Sequence, residues 1–183
     1  DRISSITNDA MDGNISFARA LDTRIKLLQA NSTHIAQTLE LIKNSISTSF
    51  LKNKDFIKNN SSRFYIISGG FKEIIYPTVK EFNIKKKQIF ANEFIYNRGN
   101  IISINKKNAL SQNRGKVNVA NRINGINIMI GDGYTDYEVK KEGAENYFIQ
   151  YTEKINRKNF NSKADLIANN FNAIINYLIS KFN

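Results

Sequence analysis

Apolar positions recur at helical spacing along the first third of the chain and then change character. Phe17, Leu21, Arg24 and Leu28 fall on one stripe, and Ser16 stands just ahead of them where a capping hydroxyl belongs. A second helix is expected from Ser32 or Thr33 through Ile35, Leu39 and Ile42, and a third from about Ser49 to Lys58. His34, the sole histidine, falls in the first turn of the second helix and reads as a surface residue, not a catalytic base. Residues from Arg2 to about Asn59 are therefore expected to be helical, and Arg63 marks the change.

Beyond Arg63 the pattern becomes strand, turn, helix. Phe64-Tyr65-Ile66-Ile67 is a compact apolar run broken by Ser68-Gly69-Gly70, and an amphipathic helix follows from Phe71 through Ile74, Ile75, Val79 and Phe82, with a kink expected at Pro77. Gln88 to Ala91 reads as a strand, Phe94 to Ile102 as a hairpin turning between Asn97 and Asn100, and Gly115-Lys116 as the start of a helix through Val119, Ala120 and Ile123. Ile128-Met129-Ile130 runs into Gly131-Asp132-Gly133-Tyr134-Thr135-Asp136 and another helix. Strands at Tyr147 to Ile149 and Leu166-Ile167 and a closing helix through Phe171, Ile174, Ile175, Leu178 and Phe182 complete the chain. Alternating strands and helices predict an α/β fold, a three-layer Rossmann-like parallel sheet over residues 61–183, with a small helical cap over residues 1–60.

Chemistry concentrates at the ends of two strands. In an open parallel sheet ligands gather at the carboxyl ends, so the Gly131–Gly133 turn would deliver Asp132 and Asp136 there as oxygen donors suited to a hard cation such as magnesium. The Ser68-Gly69-Gly70 turn would offer free amides, a helix N-terminus and a hydroxyl to a phosphate. Arg24 has two readings: its stem packs and its head reaches water, or its guanidinium faces a cavity and takes an anion by a bidentate pair.

Composition narrows the classes. A chain of 183 residues builds one substantial core. The absence of cysteine excludes a disulfide framework and a thiolate metal site, and no segment reads as membrane-spanning or as a signal peptide, so a soluble cytoplasmic protein is expected. The net charge of +11 raises nucleic-acid binding, but the basic residues are scattered through a Lys-, Asn- and Ile-heavy composition, and the densest run, Lys85-Lys86-Lys87, sits in a surface loop. Neither a nucleic acid nor a membrane is expected as a partner.

Ser68-Gly69-Gly70-Phe71, Lys116 within Gln112-Asn113-Arg114-Gly115-Lys116, and Gly131-Asp132-Gly133-Tyr134-Thr135-Asp136 resemble the second, third and fourth motifs of the haloacid dehalogenase-like hydrolases. Met11-Asp12-Gly13, Phe17, Leu21 and Arg24 resemble the cap pattern of the phosphoserine phosphatase branch. The similarity spans nearly the whole chain in the same order. It implies a magnesium-dependent phosphomonoester hydrolase that converts O-phosphoserine to serine through an aspartyl-phosphate. In that scheme Asp132 binds Mg2+ and Asp136 supports its loop. Ser68, Gly69 and Thr135 hold the phosphate, and Lys116 offsets charge on the nucleophile and phosphate. Arg24 pairs with the substrate carboxylate, and Met11 and Phe17 wall the pocket.

The family's first motif, Asp-x-Asp-x-Thr/Val, has no match upstream of Met11, so the nucleophile is expected outside these residues and the 183-residue chain alone is expected to be inactive. A related phosphatase for another small phosphomonoester and a catalytically dead phosphate-binding scaffold remain as alternatives. A serine-pathway dehydrogenase is the expected partner, fused or complexed.

Overall fold

A computed structural model describes residues 2–182. Five helices lead: α1 (Arg2–Asp12), α2 (Phe17–Leu28), α3 (Ser32–Ser45), α4 (Thr48–Lys52) and α5 (Lys54–Asn59). Ser16 Oγ accepts from Arg19 N at the start of α2. Asn31 and His34 form a reciprocal cap on α3, with Asn31 Oδ1 accepting from the His34 amide and His34 Nδ1 accepting from the Asn31 amide. The single helix expected from Ser49 to Lys58 is broken at Asn53, whose side-chain amide donates to Ser49 O at 2.8 Å and to Asn172 Oδ1 at 2.7 Å. A side chain that competes for backbone acceptors favours such an interruption.

The strands follow as β1 (Ile66–Phe71), β2 (Ile89–Asn92), β3 (Phe94–Asn97), β4 (Asn100–Ile104), β5 (Ile128–Gly131), β6 (Tyr147–Tyr151) and β7 (Leu166–Ala168), with helices α6 (Lys72–Val79), α7 (Gly115–Ala120), α8 (Tyr134–Lys141) and α9 (Phe171–Phe182) between and after them. β1 starts two residues later than its apolar run because the Phe64 carbonyl is taken by Gln88 Nε2 at 2.7 Å. It also runs through Ser68-Gly69-Gly70, where a turn was expected. Those residues form an irregular stretch between the Ile67–Phe90 and Phe71–Asn92 pairs. α6 continues through Pro77 to Val79 and then tightens into a 3₁₀ turn over Lys80–Phe82. α7 likewise ends at Ala120, short of the expected Ile123, in i→i−3 bonds from Arg122 and Ile123.

All pairings among β1, β2, β5, β6 and β7 are parallel, and β3–β4 is an antiparallel hairpin turning on Arg98 and Gly99, both with positive φ. The hairpin also carries the α2–α3 connection, through Ile101 N to Ala30 O and Ser32 N to Gly99 O. The parallel sheet is present in two pieces, β1–β2 and β5–β6–β7. Among the described residues no strand joins β1 to β5.

Side chains nevertheless sort into two faces shared by both pieces. Ile57, Phe82, Ile89, Ile149, Ile174 and their neighbours make one core, to which Ile66, Ile128 and Ile130 add from β1 and β5. Val117, Met129, Val139, Phe148 and Phe160 make the other, to which Ile67 adds. Alternation along a strand divides Ile149 from Phe148 and Ile66 from Ile67, which is the three-layer arrangement. α4 and α5 pack on the first core. Phe50 lies between Phe82 and Phe171 at ring distances of 4.9 and 5.0 Å, and Ser49 Oγ accepts from the Phe171 amide at the start of α9.

Candidate active site

The loop after β5 is built around a carboxylate placed beneath it. Asp136, in the first turn of α8, has a side chain 5% exposed, and its Oδ2 accepts from the Gly133 amide at 3.2 Å. Its Oδ1 accepts from Lys116 Nζ at 2.5 Å, and the lysine side chain is itself 15% exposed. The fit demands glycine at 131: a Cβ there would lie 2.1 Å from Asp136 Cγ. Asp136 therefore faces inward, as brace for the loop and counter-ion for Lys116, whereas Asp132 faces the mouth. Lys116 reaches this position from the start of α7, where Gly115 packs so closely on the preceding turn that a Cβ would lie 2.4 Å from Ala109 O.

Across the mouth, Ser68 Oγ accepts from the Gly70 amide at 3.0 Å, so its own proton remains to be donated. Asn92, fully buried on β2, donates through one Nδ2 to Gly69 O at 2.9 Å and to Leu110 O at 3.1 Å, holding the β1 end against the segment before α7. Gly69, Lys116 and Thr135 line one small cleft, roofed by Phe17 from the first helices. The roof is tight: a Cβ on Gly69 would meet Phe17 Cζ at 2.3 Å, and one on Gly133 would meet Met11 Cε at 2.5 Å. Gly13, with φ +86, packs on the Tyr134 ring, and Asn113 Oδ1 accepts from the Ala18 amide at 3.2 Å. The leading helices thus close on the core through glycines on both sides.

Arg24 lies apart from that cleft. It is half-buried between α1 and α2, and Nη1 donates to Thr7 Oγ1 at 3.2 Å while Nε is buried without an acceptor. Burial lowers its pKa from the ordinary guanidinium value.

Two residues that sequence reasoning missed stand in the site. Asn92 gave no periodic signal beyond its place at a strand end. Arg157 follows β6 on the same carboxyl edge of the sheet, the one clue in the sequence that marks it. Its Nε donates to Asp132 Oδ2 at 3.2 Å and its Nη1 to Asp12 Oδ1 at 3.0 Å.

No family model matches the chain. Individual proteins do. The chloroplastic phosphoserine phosphatase of Arabidopsis thaliana is 28% identical over 182 residues, covering 96% of this chain and 62% of the relative. The phosphoserine phosphatase of Drosophila melanogaster is 24% identical, covering 94% of this chain and 66% of the relative. The chain therefore spans under two thirds of the length of either. Among solved structures, a phosphoserine phosphohydrolase-like protein from Francisella tularensis subsp. tularensis SCHU S4 superposes with a TM-score of 0.82 at 27% identity, covering 97% of this chain and 84% of that one. The chain is similar in sequence to these phosphoserine phosphatases and has the haloacid dehalogenase-like fold. A substrate-bound phosphoserine phosphatase, 20% identical, shares the fold at a TM-score of 0.72 over 97% of this chain. Within that fold the Asp136–Lys116 brace and the Gly69–Thr135 cleft lie at the carboxyl ends of β5 and β1, which belong to separate pieces of the parallel sheet.

Proposed function

We propose that this chain is the larger part of a magnesium-dependent phosphatase that hydrolyses O-phosphoserine to serine and phosphate. The observation that carries the reading is the convergence of Gly69, Lys116 and Thr135 on one roofed cleft, with a buried carboxylate holding Lys116 in place. A phosphoryl group there meets a cation, a hydroxyl and backbone donors, fixed before the substrate arrives. Ser68 and Thr135 hold phosphate oxygens, and Lys116 offsets the charge that gathers as phosphorus is attacked. The attacking carboxylate belongs to an Asp-x-Asp strand that these residues do not contain, and its phosphorylated form is then opened by water.

The donor at Asp132 fits a hard cation in kind. Its Oδ2 carries the Arg157 bond, and among the described residues its Oδ1 accepts no hydrogen bond. In number it does not suffice, since among the described residues no group of three or more His, Cys, Asp or Glu side chains gathers as a metal cluster. Asp132 would hold the ion together with carboxylates outside these residues, and the bound cation would neutralise phosphoryl charge.

Arg24 supplies the carboxylate preference. Its buried, unpartnered Nε lacks an anion, and a substrate carboxylate would satisfy it. Met11 and Phe17, already seated on Gly133 and Gly69, exclude water when the cap is shut. A role in serine biosynthesis, alongside a dehydrogenase of the same pathway, follows from this reading.

Phosphate release from O-phosphoserine and from phosphoethanolamine, by the product of the complete reading frame, tests it. Magnesium-dependent turnover of phosphoserine, lost in Asp132→Asn and reduced at least about tenfold in Arg24→Ala, is expected. Absence of phosphoserine turnover, or full activity in Arg24→Ala, overturns the substrate assignment.

A further inference from the structure

One side chain that does not line the cleft bonds to two of its walls. The first wall is the irregular end of β1. From Ile67 to Phe71 that strand advances four positions while β2 advances two, from Phe90 to Asn92. Ser68, Gly69 and Gly70 therefore fall outside the ladder, and their carbonyls need donors from elsewhere. Asn92 supplies one, donating from Nδ2 to Gly69 O at 2.9 Å.

The second wall is the turn ahead of α7. Leu110 O accepts from the same Nδ2 at 3.1 Å, and Leu110 is itself buried. Gly115 rests on that turn, since a Cβ there would lie 2.4 Å from Ala109 O and 2.8 Å from Leu110 Cα. Lys116 is the next residue, so the turn sets where its backbone starts. Asn108 ties the turn to the same strand, donating from Nδ2 to Ala91 O at 2.8 Å and accepting from the Leu110 amide at 3.0 Å. Gly69, Leu110, Gly115 and Lys116 all line the cleft.

An amide nitrogen carries two hydrogens, and Asn92 gives one to each wall. Those acceptors fix its orientation, because a carboxamide oxygen in the same place would face two carbonyls. Asn92 is fully buried, and its own Oδ1 has no partner among the described residues. A buried acceptor left unmatched is costly, so the side chain is oriented for the two walls and not for its own satisfaction.

We propose that Asn92 is a positioning residue for phosphate binding. By bridging Gly69 and Leu110 it sets the spacing between the β1 amides and Lys116, so that both meet one phosphoryl group. The inference rests on the phosphate reading of the cleft given above.

Inorganic phosphate, titrated into the complete protein and followed by the amide NMR signals of Gly69, Gly70 and Lys116, tests it. Asn92→Ala is expected to raise the dissociation constant about tenfold, the factor that one ordinary hydrogen bond carries. Before phosphate is added, the same substitution should move the signals of both walls together and leave those of β7 and α9 in place. Ile57→Ala, in the opposite core, lowers stability without touching either wall. Its phosphate affinity should stay within about twofold of the parent, which a merely structural role for Asn92 would not require. Asn92→Ser, shorter and still a donor, should lose less than the alanine variant and carries the test if that variant fails to fold. Unchanged affinity in both Asn92 variants, an equal loss in Ile57→Ala, or signals that move at one wall only would overturn the inference. A parent protein that binds no phosphate would instead count against the phosphate reading, and the signals recorded before phosphate would then decide whether Asn92 couples the walls.

Discussion

Replacing Gly131 with alanine tests whether Asp136 is the brace of the site. The added Cβ would stand 2.1 Å from Asp136 Cγ and 2.3 and 2.5 Å from its oxygens, distances at which the carboxylate must leave. Leaving breaks its bond from the Gly133 amide and its 2.5 Å pair with Lys116, a lysine 15% exposed. Separating such a pair costs about 3–5 kcal/mol, because a cation is left without its partner in a site of low polarity. The Gly131→Ala protein should therefore lose about that much in urea-induced unfolding, read by circular dichroism. Asp136→Ala should lose a similar amount. In the Asp136→Ala background the alanine at 131 meets no carboxylate, so its further cost should fall below about 1 kcal/mol, a non-additivity that marks direct contact. Full additivity of the two substitutions, or a Gly131→Ala protein as stable as the parent, would refute the account.

Further outcomes follow from other contacts. Gly69→Ala should cost stability because its Cβ would lie 2.3 Å from Phe17 Cζ, and Phe17→Leu in the same chain should recover part of the loss by removing the ring; urea melts of the single and double variants decide it. Glu145 is 8% exposed with one oxygen unpartnered, and burial raises its pKa from the ordinary 4.5 to about 7. The folded state then holds a proton that the unfolded state releases. Its contribution is complete below pH 4.5 and is lost as pH rises towards 7, by up to about 3 kcal/mol at 1.36 kcal/mol per unit. Glu145→Gln should flatten that part of the stability curve in denaturation series from pH 4 to 8, and an unchanged slope would place the shift elsewhere.

Local signals wrote most of the elements into the chain. Ser16 and the stripe Phe17, Leu21 and Leu28 specify α2, Asn97 to Asn100 specify the hairpin, and the apolar run into Gly131 specifies β5, because capping, helical period and turn chemistry act between residues a few positions apart. Asp132 was legible as loop chemistry at a strand end for the same reason, whereas Ser68 and Gly69, expected in a turn, lie within β1. What the sequence could not show is which groups face each other across long separations.

The late start of β1 depends on Gln88, 24 residues downstream, claiming the Phe64 carbonyl. The break between α4 and α5 depends on Asn172, which binds Asn53 across 119 positions. Arg157 meets Asp12 from 145 positions away, and no spacing rule connects them. The two aspartates of the β5 loop look alike in sequence, four residues apart. Tertiary packing alone divides them, by tucking Asp136 beneath Gly131 against Lys116 and leaving Asp132 at the mouth beside Arg157. Short-range patterns determine where elements form and which residue types sit at their ends. The role of each carboxylate was decided by the neighbours that the fold brings to it, since burial and charge pairing are properties of an assembled site.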